Sequence, residues 1–368
     1  MISIENNKKC SGCGACYNIC PVDAVTMTSD EEGFLYPVVD EEKCIHCNLC
    51  DKVCPYIETQ YPNEDLEYCV AAYNTHSEER AISSSGGIFV LLAKAILEQG
   101  GIVYGAAYDE DWLVSHKGVE TEEGLNALIG SKYVQSNTRV VYREIKNCLE
   151  NGKKVLFAGL SCQVAGLKKY LKYDMQGLYC VDLICLGVPS PQIWLDFLDL
   201  HFDRNKIKYI NFKDKSLGWH TFSLRIDSED QEYVKEGNYA PFFTGYFRSL
   251  YSRPSCSECI FKQGNKSSDI TIADCWGYPE IAPELDDNKG LSSIVVHSDR
   301  GMQLFELIKD NLCWKESDIE LVKVHNKNYC VPREMGPERE AFWRDYKILS
   351  KQEVFYRYCT KGKKIGSP

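Results

Sequence analysis

One pattern written twice constrains this chain more than any other feature. Cys10, Cys13, Cys16 and Cys20 precede Pro21, and Cys44, Cys47, Cys50 and Cys54 precede Pro55. Each copy reads C-x2-C-x2-C-x3-C-P, and each cysteine of the second lies 34 residues after its counterpart. Two-residue gaps let one loop wrap three thiolates around the iron corners of a cubane. The fourth cysteine lies past the start of a helix, too far round for the same cube, and so serves the other one. The spacing therefore predicts two four-iron sites, one held by Cys10, Cys13, Cys16 and Cys54, the other by Cys20, Cys44, Cys47 and Cys50. Ser11, Gly12, Gly14 and Ala15 are small enough for backbone amides to approach the sulfurs. The competing metal is zinc. Zinc ribbons use two C-x2-C pairs, not four evenly spaced cysteines and a proline, twice.

Residues 1–57 resemble a bacterial-type di-cluster ferredoxin domain and match it at every ligand. Between the two copies lie Asp30-Glu31-Glu32 and Asp40-Glu41-Glu42. They read as hairpin ends and solvated faces, with docking of a basic redox partner as the functional alternative. The chain holds 19 cysteines in 368 residues, and its start, Met1 to Lys9, lacks the apolar core of a signal peptide. A cytoplasmic, reducing setting is expected, where dense cysteine means metal binding rather than disulfides. A net charge of −11 disfavours nucleic acid, and no apolar run reaches the length of a membrane span.

Residues 55–68 are polar, include Pro62 and read as a linker. Beyond them strands and helices alternate. Strands are expected at Ile102–Ala107, Lys154–Ala158, Leu178–Ile184, Ile207–Phe212, Phe222–Ile226, Ile270–Ala273 and Ser293–His297. Helices are expected at Ile88–Gln99, Gln163–Leu171 and Gln303–Lys309. Such alternation argues α/β layers on a mostly parallel or mixed sheet. Ser83-Ser84-Ser85-Gly86-Gly87 opens into the first of these helices. It is either an ordinary serine cap or a loop whose free amides meet a phosphate. No G-x-G-x-x-G follows a strand and no G-x-x-x-x-G-K-[ST] occurs, so dinucleotide-fold and P-loop readings lack support.

Cys162 opens a helix, Cys185 sits at a strand-to-loop exit, and Cys256 and Cys259 form a C-x2-C. Four thiolates from three loops would complete a third four-iron site; zinc, a redox-active pair and buried structural cysteines are the alternatives. Cys275 is the alternative fourth ligand. Cys69, Cys148, Cys180, Cys313, Cys330 and Cys359 stand singly, and most of them read as small buried hydrophobes.

Beyond the head, the chain resembles the coenzyme F420 hydrogenase/dehydrogenase beta subunit family over roughly residues 67–310. The stretches that carry the likeness are Ser85–Gly87, Gly130-Ser131-Lys132-Tyr133-Val134-Gln135-Ser136, Gly159-Leu160-Ser161-Cys162-Gln163, Cys185, Cys256-x2-Cys259 and Asp269–Gly277. The usual G-T-P-C-Q is Gly159-Leu160-Ser161-Cys162-Gln163 here, and Ala273-Asp274 replaces a G-D pair. The resemblance implies an α+β or α/β flavoprotein: a ferredoxin-like domain over 1–57, a linker over 58–68, and a flavin-binding region over 69–150. A region with the third cluster site would follow over 151–310, then a helical extension and tail over 311–368. It implies FAD, with Ser85, Gly86, Gly87, Ser131, Lys132, Gly159 and Ser161 as flavin contacts. Lys132 and His220 would be the catalytic candidates, and Trp219 would line the pocket with His220. The implied function is an iron–sulfur flavoprotein oxidoreductase. It would take electrons from a carrier such as ferredoxin and pass a hydride to or from a small molecule, an F420-type deazaflavin or a biosynthetic intermediate. The alternatives are a non-catalytic electron-transfer subunit and a thiol–disulfide reductase using Cys256 and Cys259.

Overall fold

The computed structural model describes residues 1–4, 6–57, 67–172, 175–262 and 266–360. Most of the expected linker and the basic tail Lys361–Pro368 fall outside these ranges. The head contains a hairpin, β1 (Val25–Ser29) against β2 (Leu35–Val39), with Val25 opposite Val39. Its turn is set by Asp30, whose Oδ1 accepts from the amides of Glu32 and Phe34, and by Gly33 at φ +86°.

The body is built on one eight-stranded mixed sheet. Its strands in chain order are β3 (Tyr68–Asn74), β4 (Ile102–Tyr108), β5 (Val114–Val119), β6 (Val155–Leu160), β7 (Leu178–Leu183), β11 (Ile270–Asp274), β12 (Ser292–Val296) and β13 (Leu312–Glu316). Between β7 and β11 the chain makes a separate antiparallel sheet of β8 (Ile207–Asp214), β9 (Ser223–Ser228) and β10 (Glu232–Glu236). The large sheet runs β13-β3-β12-β11-β7-β6-β4-β5. Its centre, β4, β6, β7 and β11, is parallel, and the flanks are antiparallel. All the strands expected from the sequence are present. β3, β5, β10 and β13 were not foreseen: β3 begins where the linker was expected to end, and β10 and β13 carry too many charges for an apolar pattern. The sheet draws strands from all three segments expected past residue 68, so β13 of the C-terminal extension closes the edge beside β3.

Side chains alternate across the central strands as the period of two requires. Val103, Leu156 and Val181 face the helices Ile88–Leu97 and Asp299–Ile308. Tyr104, Phe157 and Cys180 face the helices Val141–Glu150 and Ser161–Leu171. Cys13, Ala15 and Val53 of the head are part of that second cluster, so the head is packed onto one layer of the body. An aromatic core around Trp194, Phe197, Phe212, Phe242 and Tyr246 joins the small sheet to the helices Arg339–Tyr346 and Lys351–Tyr358. Of the hairpin acids, Glu32 contributes to this docking through a half-buried pair with Arg339, while Glu31 pairs with Lys347 on the solvated surface. Among the described residues, no helix is long and apolar enough to cross a membrane.

Candidate metal centres

The head cysteines line two separate spaces. Cys10, Cys13, Cys16 and Cys54 line one space of about 340 Å³, counted with the solvent at its mouth. Cys20, Cys44, Cys47 and Cys50 line another of about 350 Å³. Each wrapping loop holds two residues in the left-handed region. In the first loop these are Gly12 at φ +69° and Gly14 at +76°; in the second they are His46 at +53° and Asn48 at +57°. Backbone amides point at the sulfurs, Ala24 N to Cys20 Sγ at 3.2 Å and Ile2 N to Cys50 Sγ at 3.3 Å.

The two quartets differ in surroundings. Cys13 is buried and Cys47 is exposed. Burial pushes the Cys13 thiol up to about 12, and also raises Cys16 and Cys54. Thiols so placed stay protonated unless iron takes the proton's place, because burial penalises an uncompensated thiolate. The first loop is gripped by the body. Thr138 Oγ1 donates to Cys13 O at 3.0 Å, and Gln135 Nε2 donates to Ser11 O at 3.1 Å. Arg253, fully buried, donates from Nε to Cys10 O at 2.7 Å and from Nη1 to Gln135 Oε1 at 2.9 Å. Asn18 and Arg143 bind the next helix: Asn18 Nδ2 reaches Arg139 O at 2.8 Å and Arg143 Nε reaches Asn18 O at 2.7 Å.

The body cysteines Cys162, Cys185, Cys256 and Cys259 lie within electrostatic reach of one another, although among the described residues no three ligands are close enough together to hold a single metal ion. Cys162 is the second residue of the helix Ser161–Leu171, Cys185 follows β7, and Cys256 and Cys259 lie in and just after a short 3-10 turn, Pro254–Glu258. Burial raises the Cys162 thiol strongly, and the charges of Cys259, Cys185, Cys13 and Cys256 add to it. Burial also raises Cys256, to about 12, with Cys185 beside it and Arg253 opposing. Gly187 donates its amide to Cys185 Sγ at 3.2 Å, and a Cβ there would stand 3.2 Å from Cys256 Cβ. A glycine at φ +102° is what lets these two stretches of loop meet. Cys275 is not part of this group. It is buried with Trp219, Ala71 and Leu291, and burial raises its thiol to about 11. Among the other single cysteines, Cys69, Cys180 and Cys359 are buried as expected.

The first and third quartets adjoin. A Cβ on Gly166, in the helix that carries Cys162, would stand 2.9 Å from Cys13 Sγ. Tyr56 lines the first quartet's space, and its phenol is raised by burial and then by Cys259, Cys162 and Cys256. Beneath Cys162 lies a buried polar knot. Ser161 donates to Asp182, which also accepts from Thr271 Oγ1 at 2.5 Å and Ser268 Oγ at 2.9 Å. Burial opposes its ionisation, but Lys266, with Nζ 3.6 Å away, and the hydroxyls hold the carboxyl below its ordinary range. The knot fixes the first turn of the helix and so the direction of Cys162.

The expected flavin residues are mostly committed within the protein. The helix after the serine run is capped by Gly87 at φ +84°, not by a serine. Ser85 Oγ donates to Leu291 O at 2.9 Å, Gly86 N donates to Ser292 Oγ at 3.0 Å, and Ser131 N donates to Ser84 Oγ at 2.7 Å. Gly86 is required by close approach, since a Cβ would lie 2.6 Å from Ala72 O. Gly159 packs under Phe157, and Ser161 serves Asp182. Lys132 is not a solvated surface lysine: Nζ donates to Ile129 O at 3.0 Å and Gly130 O at 3.1 Å, and burial lowers it to about 7. Trp219 is fully buried and stacks on Trp276 at 5.1 Å instead of lining an open pocket. His220 Nε2 lies 3.0 Å from Asp286 Oδ1, with its ring on Tyr278 at 4.7 Å. As they stand, these groups do not form a phosphate cradle. Arg253, Gln135, Thr138, Tyr56 and Asp182 received no role from the sequence. Their only signal there was proximity to cysteines or to the matched stretches.

Comparison with known proteins agrees with the two-part build. Residues 9–57 match the 4Fe-4S dicluster domain, and residues 152–321 match the family described as the C terminus of the coenzyme F420 hydrogenase/dehydrogenase beta subunit. The chain is 25% identical over 319 residues to the coenzyme F420-dependent sulfite reductase of Methanocaldococcus jannaschii. That alignment covers 82% of this chain and 46% of the relative, so the chain spans about half the relative's length. A chain of the F420-reducing [NiFe] hydrogenase complex from Methanosarcina barkeri superposes with a TM-score of 0.49 at 19% identity, covering 78% of this chain and 91% of that one. The chain is thus similar to a 4Fe-4S dicluster domain at residues 9–57 and to the coenzyme F420 hydrogenase/dehydrogenase beta subunit family, C terminus, at residues 152–321.

Proposed function

We propose that the chain is an electron-relay oxidoreductase with three four-iron sites in series. The observation that carries the reading is the row of thiol quartets: exposed at Cys47, buried at Cys13, and adjoining Cys162 through Gly166. Cys10, Cys13, Cys16 and Cys54 would hold one cluster, Cys20, Cys44, Cys47 and Cys50 the second, and Cys162, Cys185, Cys256 and Cys259 the third. When bound, the clusters supply one-electron transfer, and the protein sets their order, spacing and solvation. Val22 and Ile45, both exposed beside the second quartet, give a carrier such as ferredoxin an apolar rim to dock on. Tyr56 lines the first quartet's space, and the helix Ser161–Leu171 packs against Cys13.

The acceptor class we favour is a flavin or deazaflavin, FAD included, passing a hydride to or from a small molecule. Its support is the dependence on coenzyme F420 in the relative's name. Lysines on both sides of the Ser83–Gly87 loop add to it: Lys132 follows Ser131, which bonds Ser84, and Lys215 Nζ bonds Ser85 O at 3.1 Å. Ser85, Gly86, Gly87, Ser131, Lys132, Gly159 and Ser161 remain the proposed contacts, and reaching a phosphate would require the loop to release its internal hydrogen bonds. His220 and Lys132 remain the proposed acid–base groups. Those internal bonds favour a second reading, an electron-transfer subunit whose substrate site belongs to a partner.

The test is iron, sulfide, zinc and flavin content of anaerobically purified protein. About twelve irons per chain is the expected result, and about eight would remove the third site. Bound flavin with hydride turnover supports the first reading. Twelve irons without flavin, after reconstitution, supports the second.

A further inference from the structure

Among the described residues, Arg253 is the one arginine in the set of largest fully enclosed side chains, and its position is unusual. Its contacts are Cys10 O at 2.7 Å, Leu35 O at 2.9 Å, Gln135 Oε1 at 2.9 Å and Cys10 Sγ at 3.6 Å. None of these is a carboxylate. The guanidinium lies over the rings of Tyr36, at 4.2 Å, and Phe34, at 5.5 Å. A guanidinium cannot shed its charge in a protein, and burying one without an anion is costly. Among its hydrogen-bond partners, the group that can become an anion is the sulfur of Cys10. The site is also shaped for it: a Cβ on Gly12 would stand 2.9 Å from Nη1. Three residues further on, the same segment supplies Cys256, on whose thiol Arg253 acts as an opposing charge.

Net charge, hydrogen bonds to sulfur and solvent exposure set the reduction potential of an iron–sulfur site. Burial disfavours the extra electron in the first quartet, because the reduced cluster is more negative in a medium of low polarity. A fixed cation with a sulfur contact does the reverse. We propose that Arg253 sets the reduction potential of the cluster held by Cys10, Cys13, Cys16 and Cys54, raising it enough to offset burial so that the inner site accepts an electron from the exposed one. The inference rests on the iron–sulfur reading of that quartet. One electron moves, the donor site is oxidised and the inner site reduced, with no bond made or broken. Arg253 acts as a positioning residue, through Cys10 and through charge.

The experiment is an anaerobic redox titration of the full chain, followed by EPR, on wild type, Arg253→Met, Arg253→Gln and Arg253→Lys, each with iron counted. In Arg253→Met one head midpoint should fall by at least tenfold in its one-electron equilibrium, about 59 mV, with the other unmoved and iron unchanged. Arg253→Lys should recover part of the shift, which loss of packing alone would not produce. If the Met protein does not assemble, Arg253→Gln is read in the same way. Unmoved midpoints in a fully loaded neutral variant overturn the proposal, as do midpoints that all move together. Loss of the inner cluster in both neutral variants also overturns it, by making Arg253 an assembly residue. A wild type that binds no iron at Cys10 fails the parent reading instead, and does so before any variant is made.

Discussion

The two cysteine loops of the head share one spelling and live in different places. Their backbones agree: the residues on either side of each loop's second cysteine lie in the left-handed region, Gly12 and Gly14 in one, His46 and Asn48 in the other. Only the first pair is glycine. A Cβ on Gly12 would stand 2.6 Å from Gln135 Nε2, and one on Gly14 would stand 2.4 Å from Thr138 Oγ1. The second loop faces solvent, so His46 and Asn48 keep their side chains and bear the strain of a positive φ. The difference teaches that the cluster-wrapping turn does not itself demand glycine. The body pressing on the first loop does.

The largest expected effects come from removing one thiol in each loop. Cys13→Ser and Cys47→Ser should each lower the iron count by about four. Only Cys13→Ser should also lower the melting temperature of the body, since Cys13 belongs to the core formed with the helices Val141–Glu150 and Ser161–Leu171. Equal stability loss in both variants would break the comparison. Iron assay with thermal melts reads both.

Acidification should loosen the side that grips the first loop. Burial lowers His116 and His297 to about 4, below the ordinary 6.5. Between those values the unfolded chain binds more protons than the folded one. The stability is therefore complete above pH 6.5 and is lost as pH falls toward 4, by up to about 3 kcal/mol per histidine. His116 stands 2.5 Å from Ser136 Oγ, next to Gln135, so melts at pH 7 and pH 5 should differ sharply. A flat profile over that interval would show that these rings are not kept neutral.

Exchanging the loop residues sharpens the comparison further. Gly14→Asn, which copies the second loop, should cost about 2 kcal/mol or more from the clash with Thr138 and the positive φ. Asn48→Gly, the reverse copy, should change stability by less than about 1 kcal/mol. Denaturant midpoints on the reconstituted protein measure both, and symmetric costs would refute the role given to the body. Thr138→Val should cost about 1 kcal/mol, the worth of one buried hydrogen bond to Cys13 O. The smallest effect belongs to Lys8→Ala. Its pair with Glu258, at 2.7 Å, is half exposed on both sides and is worth under about 1 kcal/mol.

Much of the head was legible because its chemistry is local. Four cysteines at fixed short gaps can wrap only a small number of objects, and the hand-over of Cys20 and Cys54 follows from chain reach. The parallel centre of the body was legible for a similar reason: β6 is a continuous apolar run, β7 is one broken only by Asp182, and each precedes a helix or a loop exit. β3 and β13 were missed because their strand partners lie more than 200 residues away, which no local pattern reports. The serine run was misread in its detail. A string of hydroxyls before a helix looks like a free cap, yet in a distant segment Leu291 O accepts from the Ser85 hydroxyl and Ser292 Oγ accepts from the Gly86 amide.

The repeated spacing of the head cysteines was readable from the sequence alone, because spacing is a property of a short stretch of backbone. The sequence also determined the α/β alternation, because periodicity is local. Tertiary structure decided the rest. It set Cys162, Cys185, Cys256 and Cys259 together and left Cys275 in the core, since convergence of separate loops depends on strand order. It buried Cys13 of one head quartet and left Cys47 of the other exposed, and it brought Arg253 to Cys10 across 243 positions of chain. Charge and burial act through space, and only the folded chain fixes those distances.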